Sequence, residues 1–462
     1  MKHTVKNWII SGTLKTLSPL VIGTGDKSQD TDIILQKDEN GNPFIPATSI
    51  AGSIRHSLFE EHDLANDREA IRRIWGDTFR IKGKDKTIKS AIIIRDAKIH
   101  PDYTIELRDG IRIDPKTGLV EKGAKYDYEA LSRGARFNLK ITIQQTDQDK
   151  EHLIKRLVNT IKNLLESKEF AIGAMNTKGY GKVQLQKAKV TVYDLTNAND
   201  VINWLEGKDK TQAYTDFSDN DRYKRKIEND LTITAHLKLK TSLLIRSYSA
   251  DPNAPDASYM TSNGKAVLAG SSVKGALRQR GEKIINTLTQ NEEKTRELIK
   301  NLFGYVDTDN RESEKIKSRF STKETYKNIN EEADRIQARI KIDRFTGGTI
   351  KTALFDEMPL WPEDSDDLFS ISYTIKDCKE WEAGLALLIL KDLMTADLPI
   401  GGGRTIGRGV FIGDTAEITY KADKYMIRQT EEVQMEHGRK EQLEEYVKAF
   451  NKAIREGEAI HA

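Results

Sequence analysis

Leu268-Ala269-Gly270-Ser271-Ser272-Val273-Lys274-Gly275-Ala276-Leu277-Arg278 repeats, 223 residues on, Ile45-Pro46-Ala47-Thr48-Ser49-Ile50-Ala51-Gly52-Ser53-Ile54-Arg55. Ser49, Gly52 and Arg55 return as Ser272, Gly275 and Arg278. Upstream, Leu14-Lys15 and residues 18–22 return at the same offset as Leu237-Lys238 and residues 241–245. Downstream, Trp75-Gly76 returns as Phe303-Gly304. Ile113-Asp114 with Thr117-Gly118 returns as Ile342-Asp343 with Thr346-Gly347. Ile172-Gly173, Thr177, Gly179 and Gly181 return as Ile400-Gly401, Thr405, Gly407 and Gly409. The offset drifts by only six residues across the whole unit. Chance matches do not stay in order and in step, so the chain reads as two tandem copies of one domain.

The copies occupy residues 1–205 and 230–420. Residues 206–229 are polar and charged with almost no apolar period, and read as a linker. Residues 306–335 are also charged and read as a mobile insertion in the second copy. Beyond 420, Leu443, Val447, Phe450 and Ile454 form one helical stripe, so residues 421–462 read as a helical tail. That stripe covers either its own domain or a neighbouring subunit.

Each copy runs strand, helix, strands, helix, strand. Residues 8–17 alternate as an opening strand. Ile50, Ile54 and Leu58 mark a helix starting near Ser49, and Ile92–Ile94 is a short apolar strand. Leu153, Leu157, Ile161 and Leu164 mark a second helix, and Val183, Leu185, Val190 and Val192 close the unit. The expected class is α+β: two tandem ferredoxin-like (RRM-like, split βαβ) domains and a C-terminal helix.

Composition narrows the function. The chain has 462 residues, one cysteine (Cys378) and a net charge of +3. One cysteine rules out an internal disulfide framework and a cysteine zinc cluster. There is no apolar run of membrane-spanning length and no signal-peptide core, so a cytoplasmic protein without a membrane partner is expected. With so small a net charge, any basic surface is local. No Walker A ending, HExxH, nucleophile elbow or dinucleotide fingerprint is present.

The repeated segments carry local chemistry. A serine at a helix start caps it, and the first-turn N–H groups then favour an anion. Gly52 and Gly275 let a phosphate backbone approach, while Arg55, Lys274 and Arg278 add charge; Ser271 stands beside Ser272. The loops at 173–181 and 401–409 permit close backbone approach, and carry Lys178 and Lys182 in one copy and Arg404 and Arg408 in the other. For one copy, an ordinary capped helix is an equally good reading, and a lone glycine loop is usually just a hairpin. Recurrence in register favours phosphate binding.

The carboxylates lie nearby in sequence. Asp26, Asp30 and Asp32 follow the first strand, and Asp256 matches Asp32 to within one residue of the local offset. A solvated loop aspartate and a functional one both remain open on this ground. Asp114 and Asp343 sit in turn-like segments and read as Asx-turn residues of a hairpin. His56 has Gln279 as its counterpart, so a nuclease needing a histidine in each copy is disfavoured.

The segments 45–55 and 268–278 resemble the "IPGSSLKGALR" stretch of the RAMP superfamily, the repeat-associated proteins of CRISPR systems. Leu302-Phe303-Gly304 and Trp75-Gly76 resemble its "LFG" step, and residues 400–409 its C-terminal glycine-rich loop. Together they point to the Cas-seven backbone type, two units fused in one chain, as in type III effector complexes. The first copy departs from the pattern at Ala47 and Ala51.

This resemblance implies a subunit that binds CRISPR RNA and complementary target RNA alongside other CRISPR effector subunits. The segments after Asp114 and Asp343 look like its duplex-splaying thumb hairpins. A loop aspartate upstream of the "IPGSS" stretch supports metal-dependent target cleavage in this branch; Asp32 and Asp256 stand there, with Asp26 and Asp30 in reserve. The implied chemistry is an endoribonuclease in which the target's 2′-hydroxyl attacks the adjacent phosphorus, assisted by a divalent metal, expected to be Mg²⁺, held in part by Asp32 or Asp256. Two rivals are a non-catalytic guide-binding scaffold and a guide-processing endoribonuclease using His56.

Overall fold

Trp8, Ile10 and Leu14 are fully buried on one face of the strand Thr4–Thr16, as the two-residue period of a half-buried strand requires. The computed structural model describes residues 3–27, 31–62, 64, 67–81, 84–114, 117–208, 213–218, 221–224, 229–247, 253–306, 315–329, 335–362, 368–430 and 433–456. Two compact units divide the chain. The first comprises Met1–Gly110, Tyr126–Asn176 and Tyr180–Ile227. The second comprises Ile111–Lys125, Thr177–Gly179 and Glu228–Ala462.

In the first unit, Thr4–Thr16 lies antiparallel between Val183–Asp194 and Arg136–Thr146, and Ile92–Ile94 closes the edge beyond Arg136–Thr146. The helix Ala47–Glu61 falls in the connection from the first of these strands to Ile92–Ile94. The helix Glu151–Glu166 connects the last two in sequence. Numbered by sequence within the unit, the sheet order is 4-1-3-2, the ferredoxin-like order of a split βαβ fold. Ile50, Ile54 and Leu58 from one helix and Leu157 and Ile161 from the other share a core with Trp8, Ile10 and Leu14.

The second unit repeats this. Leu231–Leu239 lies between Phe369–Ile375 and Phe411–Tyr420, with Phe320–Thr322 at the edge beyond Phe369–Ile375. Gly270–Thr289 and Glu380–Met394 are its two principal crossover helices. Both units therefore have the α+β, ferredoxin-like fold read from the repeat.

Three readings of the connecting segments change. The stretch read as a linker, 206–229, is not a free tether. Tyr223 is buried against the first core and donates to Asp67 Oδ2, while the Tyr214 ring packs edge-on against Trp8 at 5.1 Å. Three aromatic side chains, Tyr214, Phe217 and Tyr223, anchor it without any helical or strand period. The stretch read as an insertion, 306–335, supplies Phe320–Thr322 to the sheet, and Phe320 stacks between Phe303 and Tyr373. Its residues 307–314 and 330–334 lie outside the described ones. The tail, 421–462, is not helical throughout: Asp423–Gln429 and Val433–His437 extend the second sheet before the helix Lys440–Glu456.

The final helix packs on its own unit. Tyr446, Phe450, Ala453 and Ile454 are buried in the second core, facing Glu380–Met394. Gly384 allows the approach: a Cβ there would meet the Tyr446 carbonyl oxygen at 2.1 Å. Among the described residues, no helix is long and apolar enough to cross a membrane.

Candidate nucleic-acid interface

The helix Ala47–Glu61 starts after Pro46, and Gly270–Thr289 after Ala269; neither start has a side-chain cap bond. Ser49 and Ser272 are therefore third residues of their helices, not caps. Ser271 is the second residue of its helix. Pro46 pre-sets the entry dihedral, and the first-turn N–H of Ala47 is met by Asp96 Oδ1 at 2.7 Å. Ser49 N–H turns back to the Pro46 carbonyl at 3.0 Å. Gly52 and Gly275 are exposed, and a Cβ at either would meet only open space. Both glycines thus leave room outside the helix.

The predicted cations divide into two groups. Arg55 is about half exposed, 3.9 Å from Asp77 and over the Phe59 ring. Arg404 donates to Gln279 Oε1 at 2.7 Å, tying the glycine-rich loop to the helix that carries Arg278. Arg278 is half-buried, and Lys178 also keeps partial exposure. Lys182 instead bonds Glu169 through both a carbonyl and a carboxylate oxygen. Arg408 is buried, bonding Glu357 Oε2 at 2.9 Å and Gln337 Oε1 at 2.7 Å. Lys274 is buried too, with Ser318 Oγ at 2.8 Å and Thr177 Oγ1 at 2.9 Å. Lys182, Arg408 and Lys274 hold the structure around the surface that the sequence assigns them to.

Burial, with the charges of Lys178 and Arg278, pushes the Lys274 ammonium down to about 7. Unfolded, it returns to about 10.5. The unfolded chain therefore binds the extra proton between these values, and stability attributable to this residue rises with pH from 7 to 10.5. Lys274→Met is expected to raise the melting temperature most at or below pH 7, with the gap closing by pH 10.5. Parallel thermal melts of the two proteins across that range check it; a gap independent of pH contradicts it.

The glycine-rich loops are built alike. Gly181 and Gly409 have φ of 76° and 75°, and a Cβ would lie 2.1 Å from the Ile172 oxygen and 1.9 Å from the Ile400 oxygen. Only glycine fits there.

Asp32 and Asp256 are held in the same way. Asp32 Oδ2 accepts the backbone N–H of Asp127 at 3.2 Å, and Asp256 Oδ2 accepts that of Asp356 at 2.9 Å. Asp127 and Asp356 occupy matching places in the repeat, on the strands Tyr126–Leu131 and Thr349–Met358. Asp32 also accepts from Lys27 at 2.7 Å; this bond and the Asp127 N–H hold its carboxyl below the usual range. Asp26 N–H bonds Thr24 Oγ1, and Asp30 lies outside the described residues. Sequence reasoning passed over Asp127 and Asp356, although each directly follows an aromatic residue, Tyr126 or Phe355, that recurs at the repeat's offset of 229.

Asp114 and Asp343 close their hairpins by Asx bonds, to Thr117 N–H at 3.3 Å and to Phe345 N–H at 2.7 Å. The second hairpin presents Ile340, Ile342, Leu354 and a fully exposed Phe345. His56 bonds Glu60 at 2.8 Å on its own helix. Among the described residues, no three His, Cys, Asp or Glu side chains gather as a metal site. Each unit does offer an aspartate oxygen of the hard type that Mg²⁺ takes, so the donors fit an ion whose remaining ligands come from water and RNA phosphates.

The model of the RAMP superfamily matches residues 13–184 and 236–412, one match in each half of the duplication. No curated protein matches the chain.

Proposed function

The chain belongs to the RAMP superfamily through both of its halves, and from that premise we propose that it is a fused double backbone subunit of a type III CRISPR effector. RAMP proteins are associated with CRISPR effector complexes and bind CRISPR RNA. The proposal adds that this one acts in the cytoplasm, grips the guide with both units and cleaves paired target RNA at two places. Its main support is the matched pair Asp32 and Asp256, each accepting the backbone N–H of a repeat-equivalent aspartate.

The protein reads backbone and shape, and the guide reads sequence by pairing. The apolar hairpin tips, Phe345 above all, wedge into the duplex and turn one target nucleotide out. That aligns its 2′-oxygen with the neighbouring phosphorus and the departing 5′-oxygen. The 2′-oxygen–phosphorus bond forms and the 5′-oxygen–phosphorus bond breaks, leaving a 2′,3′-cyclic phosphate and a 5′-hydroxyl. The 2′-hydroxyl proton passes to base, and the leaving oxygen takes a proton from solvent. Asp32 or Asp256, fixed by its N–H bond, serves as that base or as an ion ligand. Mg²⁺, when bound, supplies charge neutralisation at the phosphate.

Guide binding tests the grip. Replacing Arg55, Arg278 and Arg404 with alanine is expected to weaken affinity for any single-stranded sequence. The slope of log affinity against log salt should flatten by roughly 0.7 for each phosphate no longer neutralised. An unchanged slope by fluorescence anisotropy contradicts the grip.

A further inference from the structure

Glu357 of the second unit faces three guanidinium groups. Its carboxylate accepts from Arg408 at 2.9 Å and from Arg246 at 3.2 Å, and Arg339 Nε forms an ion pair with it at 3.2 Å. Three cations share this one carboxylate; the neighbouring Asp256 carboxylate accepts the Asp356 N–H instead, and neither Asp256 nor Asp356 is paired with these arginines. Arg408 and Glu357 are buried, but the Arg246 side chain is 49% exposed and that of Arg339 31%. The positive charge therefore opens to solvent through two arginines that share one acceptor. Burial lowers the Arg408 pKa; Glu357 works against that shift, while Arg339 and Arg246 add to it.

The sheet fixes this arrangement. Gln337 pairs with Glu357 across the ladder, and Arg339 lies two residues along on the same face. Ala257, the neighbour of Asp256, pairs with Glu357 from the other side, and Tyr259 of that strand pairs with Arg246. Arg408 comes from the glycine-rich loop.

The first unit lacks this chemistry. At the matching positions Tyr128 replaces Glu357 and Tyr180 replaces Arg408, their hydroxyls 2.8 Å apart, while Gly23 and Gly110 stand for Arg246 and Arg339. Arg108 there donates to Tyr180 and is balanced by Glu106. The same place in the fold is thus charge-balanced in one unit and cation-rich in the other.

We infer that Arg246 and Arg339, backed by the buried Arg408–Glu357 pair, form a phosphate seat for single-stranded RNA that only the second unit possesses. A phosphodiester oxygen fits because guanidinium groups bind phosphate through directed N–H bonds and are weakly hydrated. The inference rests on the RNA-binding reading above, and asks where one further phosphate is held.

The test uses the full chain and a labelled oligouridylate, with affinity measured across stepped salt. The double variant Arg246→Ala, Arg339→Ala is expected to bind more weakly and to flatten the salt slope by roughly 0.7 for each phosphate no longer held. Glu357→Gln is expected to act oppositely and tighten binding, a sign that loss of packing alone does not give. If Glu357→Gln does not fold, the double variant, which leaves the buried pair intact, decides the matter. An unchanged slope in the double variant overturns the seat, while loss of binding in the Arg55, Arg278, Arg404 variant would still support the general grip.

Inorganic phosphate separates the two claims further. It should raise the melting temperature of the wild type more than that of the double variant, because a ligand of the native state stabilises it. That difference without oligouridylate binding would keep the anion seat and remove its RNA assignment. Equal phosphate shifts together with equal salt slopes overturn the inference.

Discussion

Asp32→Ala is expected to remove one of two cuts in a complementary target RNA, and Asp256→Ala the other. Both carboxylates accept an N–H from equivalent strand positions, and Asp32 also pairs with Lys27, so each is held at the same place in its unit. On the proposed function, two units along one guide would act at two target positions. Loss of such a carboxylate costs orders of magnitude in rate when it serves as base or ion ligand, so each band should disappear at ordinary reaction times. Guide binding should be unaffected, because neither residue belongs to the cationic set around Arg55, Arg278 and Arg404. Asp26→Ala is expected to leave both cuts in place. Persistence of both cuts in the Asp32→Ala, Asp256→Ala double variant, with Mg²⁺ still required, would make this chain a scaffold and place the chemistry elsewhere.

Phe450→Ala is the second large effect. Phe450 is wholly buried in the second core, and its helix sits directly over Gly384. Removing a buried phenyl ring costs about 3–5 kcal/mol, the lost transfer energy plus an unfilled cavity. Hydrogen exchange is the suitable measurement, since a chain of two units need not unfold in one step. Protection should fall through Glu380–Met394 and Lys440–Glu456, with the first unit unchanged. Protection equal to wild type would mean that this face is covered by something other than its own domain.

Much of the fold was legible because duplication supplies its own check. Ser49, Gly52 and Arg55 aligned with Ser272, Gly275 and Arg278, and the spacing to the glycine loops then fixed the order of elements in both halves. Elements held by a few scattered aromatics were not legible. Tyr214 and Tyr223 anchor residues read as a linker, because one buried and two partly buried rings at irregular spacing carry no period. The strands Asp423–Gln429 and Val433–His437 were hidden by their charge: they extend a sheet edge with polar side chains on one face.

The candidate site divides in the same way. The equivalence of Asp32 and Asp256 could be read from an offset, and so could that of Asp127 and Asp356. The fate of individual cations could not. Arg404 and Arg408 look alike in sequence, yet Arg404 reaches a helix side chain and Arg408 is sealed against Glu357. Lys274 likewise looks like a free phosphate ligand until its burial beside Ser318 is seen. Such pairings depend on which strand faces which loop, and local sequence does not encode that.

The most direct measurement of the central claim is a map of cut positions in end-labelled target RNA, made with the assembled complex and two guides shifted relative to one another. The account predicts two Mg²⁺-dependent cuts at a fixed separation that move together with the guide and vanish in chelator. Cuts that stay at one sequence when the guide moves, or that survive chelation, would contradict it.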